Sequence, residues 1–414
     1  MSQKQHILIS GAGIAGPTIA HFLSQTPHSS FHITIIERAP APRPGGQSVD
    51  VRGHGLTVVQ RMGLEDTIRS RATNEKGLRF VDSNDTVKAE FPVGEGEGFT
   101  GDIEILRGDL AGVLYDRTRG IGEIEYVFGE RVSHLVEGND GIHVEFENGL
   151  PGMRVDAVIA ADGWASRTRK LAFGANVSKD AVKDLGQWAA WFTIPRSETD
   201  SRWARWYNAP GKRMMLLRPD NESVSRTSLW IMPPQDDKTM DHMAKASTPD
   251  QKAHWSQLFK DAGWEAQRVL RGLQAADDFY MQKIAQVKMP RWSSGRVALA
   301  GDAGYCPSPI SGMGTTVALV GAYVLAGEIA NHPNDLARAF EAYETRMRAF
   351  VATAQKLAPG APSMANPQTQ WGIWILYLFL GLVAWTGIME KMGASFSPPA
   401  KAMELPEYEF GKKR

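Results

Sequence analysis

The amino-acid sequence predicts an α/β fold with a parallel sheet, interrupted by an inserted α+β domain and followed by a C-terminal helix. Two observations lead to this prediction. Near the N-terminus a short apolar strand, a glycine turn, a helix and a second strand follow one another, and the strand–loop–helix pattern returns at residues 296–330. Between these parts, residues 183–284 are rich in Trp, Arg and Met and contain alternating stretches that are typical of an antiparallel sheet.

The N-terminal unit has the order expected of a βαβ motif. Residues 6–10 (HILIS) and 31–37 (FHITIIE) are apolar and rich in β-branched side chains, which favours strands. The glycine turn and helix between them predict that the two strands are parallel and covered by helices. A helix at residues 108–119 and a buried strand within residues 154–163 extend this unit.

The composition narrows the possible partners. Lys and Arg together number 46, as do Asp and Glu, so the formal net charge is zero, and no basic block is present. Nucleic acid is therefore not expected as a partner.

Cys306 is the only cysteine, which excludes an intramolecular disulfide and a cysteine-based metal site, and we expect no metal centre. The first strand begins near His6, which leaves no room for a signal or transit peptide, so we expect a cytoplasmic protein.

Three glycines, Gly11, Gly13 and Gly16, form a G-x-G-x-x-G pattern between the first strand and the helix. The first allows a tight turn, the second lets the backbone approach a pyrophosphate, and the third lets the helix pack on the strand. Glu37 ends the next strand about 20 residues on, where a ribose hydroxyl is expected. An acidic residue at this place favours FAD or NAD over NADP.

A second glycine-rich segment, GDAGYCPSPISGMG at residues 301–314, favours FAD over NAD. A flavin has a ribityl chain and a ring that extend away from the adenine site and need a second loop, whereas a dehydrogenase needs no such segment. Asp302 is suited to accept hydrogen bonds from ribityl hydroxyls. The helix from about Gly314 is expected to point its N-terminal N–H groups at the flavin ring, where they would stabilise negative charge on reduction.

Three motifs in this order carry a family resemblance: GAGIAGPTIA, the Asp-Gly motif in DAVIAADGWASRTRK, and the Gly-Asp motif in RVALAGDAGYCPSPISGMG. Over nearly its whole length the chain resembles the class A flavoprotein monooxygenases, the p-hydroxybenzoate hydroxylase superfamily. The segments GGQSVDVRG and ILRGDL look like those of the tetracycline-inactivating subgroup and of related fungal and actinobacterial hydroxylases.

The resemblance implies a Rossmann-type FAD-binding domain in two parts, residues 1–182 and 285–365. It further implies a substrate domain at residues 183–284, and the C-terminal hydrophobic helix and tail then occupy residues 366–414. In such enzymes NADPH or NADH is the transient reductant of FAD. O₂ then forms a C4a-hydroperoxide that passes one oxygen atom to an electron-rich carbon.

Carried over by position, the resemblance also implies contacts to the cofactors. Arg107 lies against the ribityl chain or pyrophosphate, Asp162 belongs to a motif linked to both FAD and NAD(P)H, and Asp50 and Arg52 lie near the flavin and the nicotinamide. The family pattern is not met at two positions, since Tyr305 replaces a common His and Thr316 a frequent Asn. The complete expected cofactor-binding set is Gly11, Gly13, Ala15, Gly16, Glu37, Arg38, Asp50, Arg52, Arg107, Asp162, Asp302, Pro309, Gly312, Met313, Gly314 and Thr315.

The substrate is expected to be an aromatic, phenolic or polyketide-like small molecule that meets the inserted domain. Trp191 and Trp206 offer flat surfaces for such a ligand, and Arg213 is suited to pair with a phenolate or carboxylate. The sequence does not indicate which residue would act as a catalytic acid or base. The sequence does not decide between NADPH and NADH.

Several other activities remain open at this point. GQWAAWFTIP, residues 186–195, is similar to the W-x-W-x-I-P motif of flavin-dependent halogenases, but Ala190 and Phe192 stand where the two tryptophans belong. An FAD-dependent oxidase or dehydrogenase on the same fold is a second alternative. A flavin-binding regulatory protein without turnover is a third.

The C-terminal apolar segment, residues 371–389, begins with Trp371 and ends with Met389 and contains no charge. Its length is close to that of a membrane span, and tryptophans lie towards both ends, as at a membrane interface. A long helix packed apolar on all sides inside the protein explains the same pattern. We favour the buried helix and keep membrane contact as the alternative.

Overall fold

Two sheets of different character organise the chain, a six-stranded sheet that is almost entirely parallel and a seven-stranded sheet that is mostly antiparallel. The computed structural model describes residues 4–26, 31–43, 45–73, 75–93, 103–220, 223–386 and 403–410. Within these residues the strands are β1 (Gln5–Ser10), β2 (Phe31–Glu37), β3 (Ser48–Val51), β4 (Gly77–Val81), β5 (Val87–Pro92), β6 (Ile103–Leu106), β7 (Ile124–Phe128), β8 (Val132–Gly138), β9 (Gly141–Phe146), β10 (Met153–Val155), β11 (Ala157–Ala160), β12 (Val182–Pro195), β13 (Ala204–Ala209), β14 (Arg213–Pro219), β15 (Val224–Ile231), β16 (Tyr280–Val287), β17 (Ser293–Ser294) and β18 (Val297–Leu299). The helices are α1 (Ala15–Ser24), α2 (His54–Arg61), α3 (Glu65–Ser70), α4 (Arg107–Thr118), α5 (Arg167–Phe173), α6 (Ala175–Ala181), α7 (Thr239–Met243), α8 (Thr248–Phe259), α9 (Ala266–Ala275), α10 (Asp302–Tyr305), α11 (Gly314–Asn331), α12 (Leu336–Ala354) and α13 (Gln370–Thr386), with 3₁₀ turns at Pro309–Ser311 and Ser363–Ala365.

The six-stranded sheet has the order β17-β18-β11-β1-β2-β7, and only β17 runs antiparallel to its neighbour. Its inner strands β18, β11, β1 and β2 are largely buried on both faces. Ile7 and Ile9 point into the core formed with α1, α11 and α12, whereas Leu8 and Ile36 face a three-stranded sheet, β10-β9-β8. The parallel βαβ unit predicted from the sequence is therefore confirmed, with both predicted strands in place.

The strand predicted within residues 154–163 forms as β11, and the residues just before it form β10 in a different sheet. β10 belongs to the three-stranded sheet and β11 to the parallel sheet. Asp156 makes the break, because its N–H donates to the carbonyl of His6 at 2.8 Å and its carboxylate accepts the N–H of His6 at 2.7 Å. The buried strand predicted within residues 154–163 is therefore present, at Ala157–Ala160.

The seven-stranded sheet has the order β16-β12-β15-β14-β13-β4-β5. Its pairs are antiparallel except that β4 runs parallel to β13. One face packs on α7, α8 and α9 through a core that includes Trp188, Phe192 and Trp255. The sheet also takes in β4 and β5, which precede residue 183 in the chain. The domain boundaries drawn at residues 182 and 284 stay a prediction.

The C-terminal helix α13 lies on the other face of this sheet, against β5 and β13, through Ile373, Tyr377 and Val383. Its outer side is exposed, with Trp371 at 75% and Trp385 at 85% exposure. The expected helix packed apolar on all sides is therefore wrong, because only three of its side chains are buried. Among the described residues, the helices lack the combination of length and apolarity needed to cross a bilayer. Residues 387–389 of the predicted segment lie outside the described residues.

Candidate active site

The first glycine turn leaves no room for side chains at two of its positions. Gly11 has φ +117°, and a Cβ there would lie 2.4 Å from the carbonyl oxygen of Ala161. A Cβ at Gly16 would lie 2.1 Å from the carbonyl oxygen of Gly11. A Cβ at Gly13 would meet no protein atom within 4 Å. The turn is therefore closed by protein at Gly11 and Gly16 and open at Gly13, where a ligand is expected to approach.

The N-terminus of α1 faces the same open side. Its N-cap residue, Ile14, provides no side-chain hydrogen bond to the first turn, so these N–H groups can serve a ligand. Glu37 lies beside the turn, and its carboxylate accepts the N–H of Ala12 at 3.2 Å and of Ala39 at 3.0 Å. Ala15 is the first residue of α1 and is buried, and Arg38 is exposed just after β2.

The second glycine loop connects β18 to α11 and contains three left-handed residues. Gly301 has φ +59°, Ser308 φ +80° and Gly312 φ +63°. Asp302 opens the short helix α10. Burial raises the pKa of the Asp302 carboxyl, and the nearby guanidinium of Arg107 acts in the opposite direction. A carboxyl held in this way is well suited to hydrogen-bond polar groups of a ligand.

Helix α11 begins at Gly314, where the sequence predicted. A 3₁₀ turn at Pro309–Ser311 precedes it, and Met313 is its N-cap residue. Met313 provides no side-chain cap, so the first N–H groups of this helix lack a side-chain partner as well. Thr315 follows in the first turn and is buried. Two uncapped helix N-termini, those of α1 and α11, thus belong to the two glycine-rich loops.

An ion pair lies against the second loop. Arg52 binds Asp50 at 2.5 Å, and a Cβ at Gly312 would lie 3.6 Å from both side chains. The backbone of Arg52 also holds Thr316 of α11, whose hydroxyl accepts the N–H of Arg52 at 3.3 Å and donates to its carbonyl at 3.2 Å. The end of β3 and the start of α11 are therefore joined directly.

Arg107 and Asp162 take different positions in this arrangement. Arg107 is the exposed first residue of α4, and its N–H donates to the carbonyl of Gln47 at 3.0 Å. The carboxylate of Asp162 accepts hydrogen bonds from the Ser166 hydroxyl at 2.5 Å and from the Thr168 N–H and hydroxyl at 3.0 Å each. Asp162 therefore organises the start of α5 and is occupied by protein partners.

An aromatic wall on the open face of the seven-stranded sheet borders the second loop. Trp191 stacks on Tyr280 with ring centroids 5.1 Å apart and meets Trp230 edge-on at 5.4 Å. Ile310, from the turn before α11, packs against this cluster. The Tyr280 hydroxyl donates to the side chain of Gln47. Burial raises the pKa of Tyr280, so this hydroxyl keeps its proton in the neutral range. A cavity opens here, lined by Gly46, Gln47, Trp191, Phe192, Arg226, Thr227, Asp278 and Tyr280.

Trp206 and Arg213 are not brought to this wall. Register pairs Trp191 with Ser228, Ser228 with Leu216 and Leu216 with Trp206, so Trp206 lies three strands away, about 14 Å. There it packs on Phe80 in the cluster that holds α13.

Arg213 points to the helix-covered face of the sheet. Its guanidinium donates to the carbonyl of Leu258 at 2.6 Å and pairs with Asp261 at 2.6 Å. The second loop meets the opposite face of the sheet, and the predicted contact of Arg213 with substrate stays a prediction.

The comparisons with known proteins agree with this geometry. The FAD binding domain family matches residues 4–358. FAD-dependent monooxygenase asL6 of Sarocladium schorii is 37% identical over 97% of this chain and 97% of its own length. Monooxygenase CTB7 of Cercospora beticola is 36% identical over 99% of both chains. The chain belongs to the class A flavin monooxygenases. The crystal structure of tetracycline destructase Tet(51) has a TM-score of 0.78 at 29% identity and covers 99% of this chain and 100% of its own.

FAD, the cofactor of this monooxygenase family, suits the residues described above. The open space at Gly13 and the uncapped start of α1 fit a pyrophosphate, and Glu37 lies where a ribose would be held. The resemblance predicted from three motifs is confirmed.

The two departures from the family pattern have structural explanations. Tyr305 is a core residue of this monooxygenase, with its hydroxyl 2.6 Å from that of Tyr343 and its ring 4.5 Å from that of Trp292. A Cβ at Gly321 would lie 2.1 Å from the Tyr305 hydroxyl, so this residue fills the space against α11. Thr316 joins α11 to β3, as described above.

Sequence reasoning missed most of the aromatic wall. Strand register places Tyr280 and Trp230 beside Trp191, and Ile310 reaches them from the turn before α11. Trp230 sits in SVSRTSLWI, whose alternation indicates a strand without saying which face it presents. Arg226 was also missed. It lines the cavity and is held by Asp220 at 2.9 Å and by the Thr193 hydroxyl at 2.6 Å.

Proposed function

We propose that this enzyme uses NAD(P)H and O₂ to insert one oxygen atom into an aromatic, phenolic or polyketide-like small molecule. The observation that carries the proposal is the contact between the Trp191–Tyr280 wall and Ile310 of the second loop. This contact brings a flat aromatic surface to the segment that the resemblance assigns to the flavin. The single cysteine is in keeping with a reducing, cytoplasmic compartment.

The two glycine-rich loops are proposed to share one FAD. Gly11, Gly13 and Gly16 with the start of α1 would hold its pyrophosphate, Glu37 its adenosine ribose, and Asp302 its ribityl hydroxyls. The remaining predicted contacts come from the resemblance and are carried here as part of the proposal: Ala15, Arg38, Asp50, Arg52, Arg107, Asp162, Pro309, Gly312, Met313, Gly314 and Thr315. Bound FAD supplies the redox chemistry, taking hydride from NADPH or NADH and activating O₂.

The protein's own contribution is to orient the substrate and to limit water. Trp191, Tyr280 and Trp230 form a rigid apolar surface, and the Tyr280 hydroxyl and Arg226 are polar groups beside it. Such a combination of flat surface and few polar groups is typical of sites that hold aromatic ligands in one orientation. The N-terminus of α11 would stabilise negative charge near the second loop.

A fused-ring substrate is favoured by one of the relatives. Tet(51) is a tetracycline destructase, and its fold matches this chain over nearly the full length. Tetracycline has four fused rings, one of them phenolic, and the aromatic wall supports a substrate that carries a phenolic ring. We therefore propose a fused-ring phenol as the first compound class to test.

The test is stopped-flow reduction of the purified flavoprotein by NADPH and by NADH, with and without fused-ring phenols, followed by mass spectrometry of products formed under ¹⁸O₂. We expect one phenol class to accelerate flavin reduction and to gain a single ¹⁸O atom. Flavin reduction by a phenol without NADPH or NADH, with hydrogen peroxide formed from O₂ and no ¹⁸O in the product, would indicate an oxidase. Halide incorporation would indicate a halogenase, and absence of reduction by both nucleotides would indicate a regulatory flavoprotein.

A further inference from the structure

An exposed apolar stripe runs along the whole of α13 and has no role in the proposed reaction. Its members are each between 54% and 85% exposed. They recur at helical spacing and so share one side of the helix. The α13 stripe consists of Trp371, Trp374, Ile375, Leu378, Phe379, Leu382 and Trp385.

The inner side of α13 fixes the direction in which this stripe points. The Tyr377 hydroxyl donates to the carbonyl of Val81 and accepts the N–H of Asn208, both at 2.9 Å. A Cβ at Gly381 would lie 2.9 Å from the carbonyl oxygen of Lys88, so helix and strand are in close contact. Rotation of α13 to bury the stripe would break both hydrogen bonds. Within the described part of the chain, these side chains are left open to solvent.

The area of the stripe matches what a stable interface requires. Four of its seven members are aromatic, and a fully exposed aromatic side chain contributes about 150–250 Å². At the observed exposures the stripe presents roughly 800–1,000 Å², against about 800 Å² per partner in a standard protein–protein interface. Exposed apolar patches of this size mark interaction sites in soluble proteins.

The arrangement of the stripe is close to symmetric about its centre. Leu378 lies midway between Trp371 and Trp385, and Trp374 and Leu382 are each four residues from it. Trp371, Ile375, Leu378, Leu382 and Trp385 also follow the four–three spacing by which paired helices interdigitate. Two antiparallel copies of α13 would therefore meet the same surface on each other, as a two-fold axis demands.

We propose that α13 is a homodimer interface, in which the stripes of two chains pack antiparallel about a two-fold axis at Leu378. Charge disfavours a lipid surface as the occupant. α13 itself carries no basic residue, and the cations on the adjacent strand and its neighbour are paired, Lys88 with Asp82 at 2.8 Å and Arg79 with Glu90 at 2.6 Å. Helices that lie in a membrane surface usually rely on unpaired Lys and Arg.

The test is the mass of the full-length holoprotein by light scattering and analytical ultracentrifugation across the micromolar range. We expect twice the chain mass of 45.5 kDa, with a dissociation constant in the micromolar range or tighter. Leu378→Glu and Leu378→Lys should each be monomeric, because like charges would face each other at the axis. An equimolar mixture of the two should restore the dimer. Val136→Glu, which changes an equally exposed residue on β8, should stay dimeric.

Three results would overturn the proposal. A wild-type monomer that binds neutral phosphatidylcholine vesicles, when Leu378→Glu does not, would assign the stripe to a membrane surface. A wild-type monomer that does not bind vesicles would indicate that another part of the same chain covers the stripe. A wild-type dimer that both charge variants retain, or that their mixture fails to restore, would place the interface elsewhere.

Discussion

Asp50 and Glu104 face each other in register across the antiparallel pair β3–β6, so two carboxyl groups stand side by side beneath the second glycine loop. Arg52 binds Asp50 at 2.5 Å, and Arg218 binds Glu104 at 2.5 Å and Glu75 at 3.0 Å. Among the described contacts, three carboxyl groups lie beside two guanidinium groups. Because a buried carboxylate next to other carboxylates is costly, we infer that this cluster keeps a proton at neutral pH.

The proton is expected on Glu104, and its presence should make stability depend on pH. Burial raises the pKa of Glu104 to about 8, with Arg218 opposing and Glu75 and Asp50 reinforcing the rise. The folded state then binds more protons than the unfolded state between the two pKa values, so stability falls as the pH rises through this window. Glu104→Gln should match wild type near pH 5 and exceed its free energy of unfolding at pH 9 by on the order of 1–3 kcal/mol, measured by urea denaturation.

Glu75→Gln is the matched control for this prediction. Glu75 accepts two N–H groups of Arg218 at 3.1 and 3.0 Å, so its replacement weakens a buried ion pair. We expect a loss of about 3 kcal/mol at pH 5 and a smaller loss at pH 9, because removing the Glu75 charge lowers the pKa of Glu104 and lets that carboxylate pair with Arg218. If Glu104→Gln instead destabilised the protein equally at pH 5 and pH 9, Glu104 would be an ionised partner of Arg218, and the inferred proton would be wrong.

Local sequence signals predicted the elements that hold the cofactor loops. β1 and β2 were found because apolar and β-branched residues mark strands, and the start of α11 at Gly314 followed from the glycine-rich loop before it. Strands, glycine turns and helix starts are determined by residues that are close in sequence. The family resemblance could be recognised from three short motifs for the same reason.

Properties set by distant contacts could not be predicted. Arg213 and Met214 are adjacent but point to opposite faces of the sheet, and sequence does not reveal which face meets the cofactor loop. The parallel pairing of β4 with β13 joins segments more than 100 residues apart. The apolar pattern of α13 likewise did not distinguish a buried helix from one with an exposed side.

Gly13→Ala should separate cofactor binding from folding. A methyl group at this position meets no protein atom within 4 Å, so the stability of the apoprotein should be unchanged. It would occupy the space proposed for the pyrophosphate. We therefore expect the dissociation constant for FAD to rise about tenfold or more, a loss of about 1.4 kcal/mol of binding free energy. Fluorescence titration of the apoprotein with FAD measures this change.

Gly16→Ala is the contrasting variant. Its methyl group would lie 2.1 Å from the carbonyl oxygen of Gly11, so we expect the apoprotein itself to lose about 2 kcal/mol or more of unfolding free energy. Equal FAD affinity in Gly13→Ala and wild type would contradict the placement of the pyrophosphate at this turn.

Trp191 and Trp206 lie in register on the same face of the seven-stranded sheet, so their substitutions can be compared directly. Trp191→Leu removes a ring from the aromatic wall, and we expect the KM for an accepted phenol to rise about tenfold, with a smaller change in kcat. Trp206→Leu removes the ring that packs on Phe80 and donates to the Asn208 side chain at 3.0 Å, so it should lower stability by about 1–3 kcal/mol and leave KM within about twofold. Steady-state kinetics with thermal unfolding of both variants checks this. A larger KM effect at Trp206 would place the substrate nearer α13.

Asp162 and Thr168 should act as one structural unit at the start of α5. The Asp162 carboxylate accepts both the N–H and the hydroxyl of Thr168, and that hydroxyl also lies 3.0 Å from the Ser10 hydroxyl of β1. Asp162→Ala and Thr168→Val should each lower the free energy of unfolding of the apoprotein by about 1–2 kcal/mol, and their double variant should fall short of the sum by about 1 kcal/mol. Urea denaturation of the four apoproteins gives this coupling, and FAD titration of the same set measures their affinity. Additive losses in stability, together with a loss of FAD affinity confined to Asp162→Ala, would instead show that this carboxylate serves the cofactor directly.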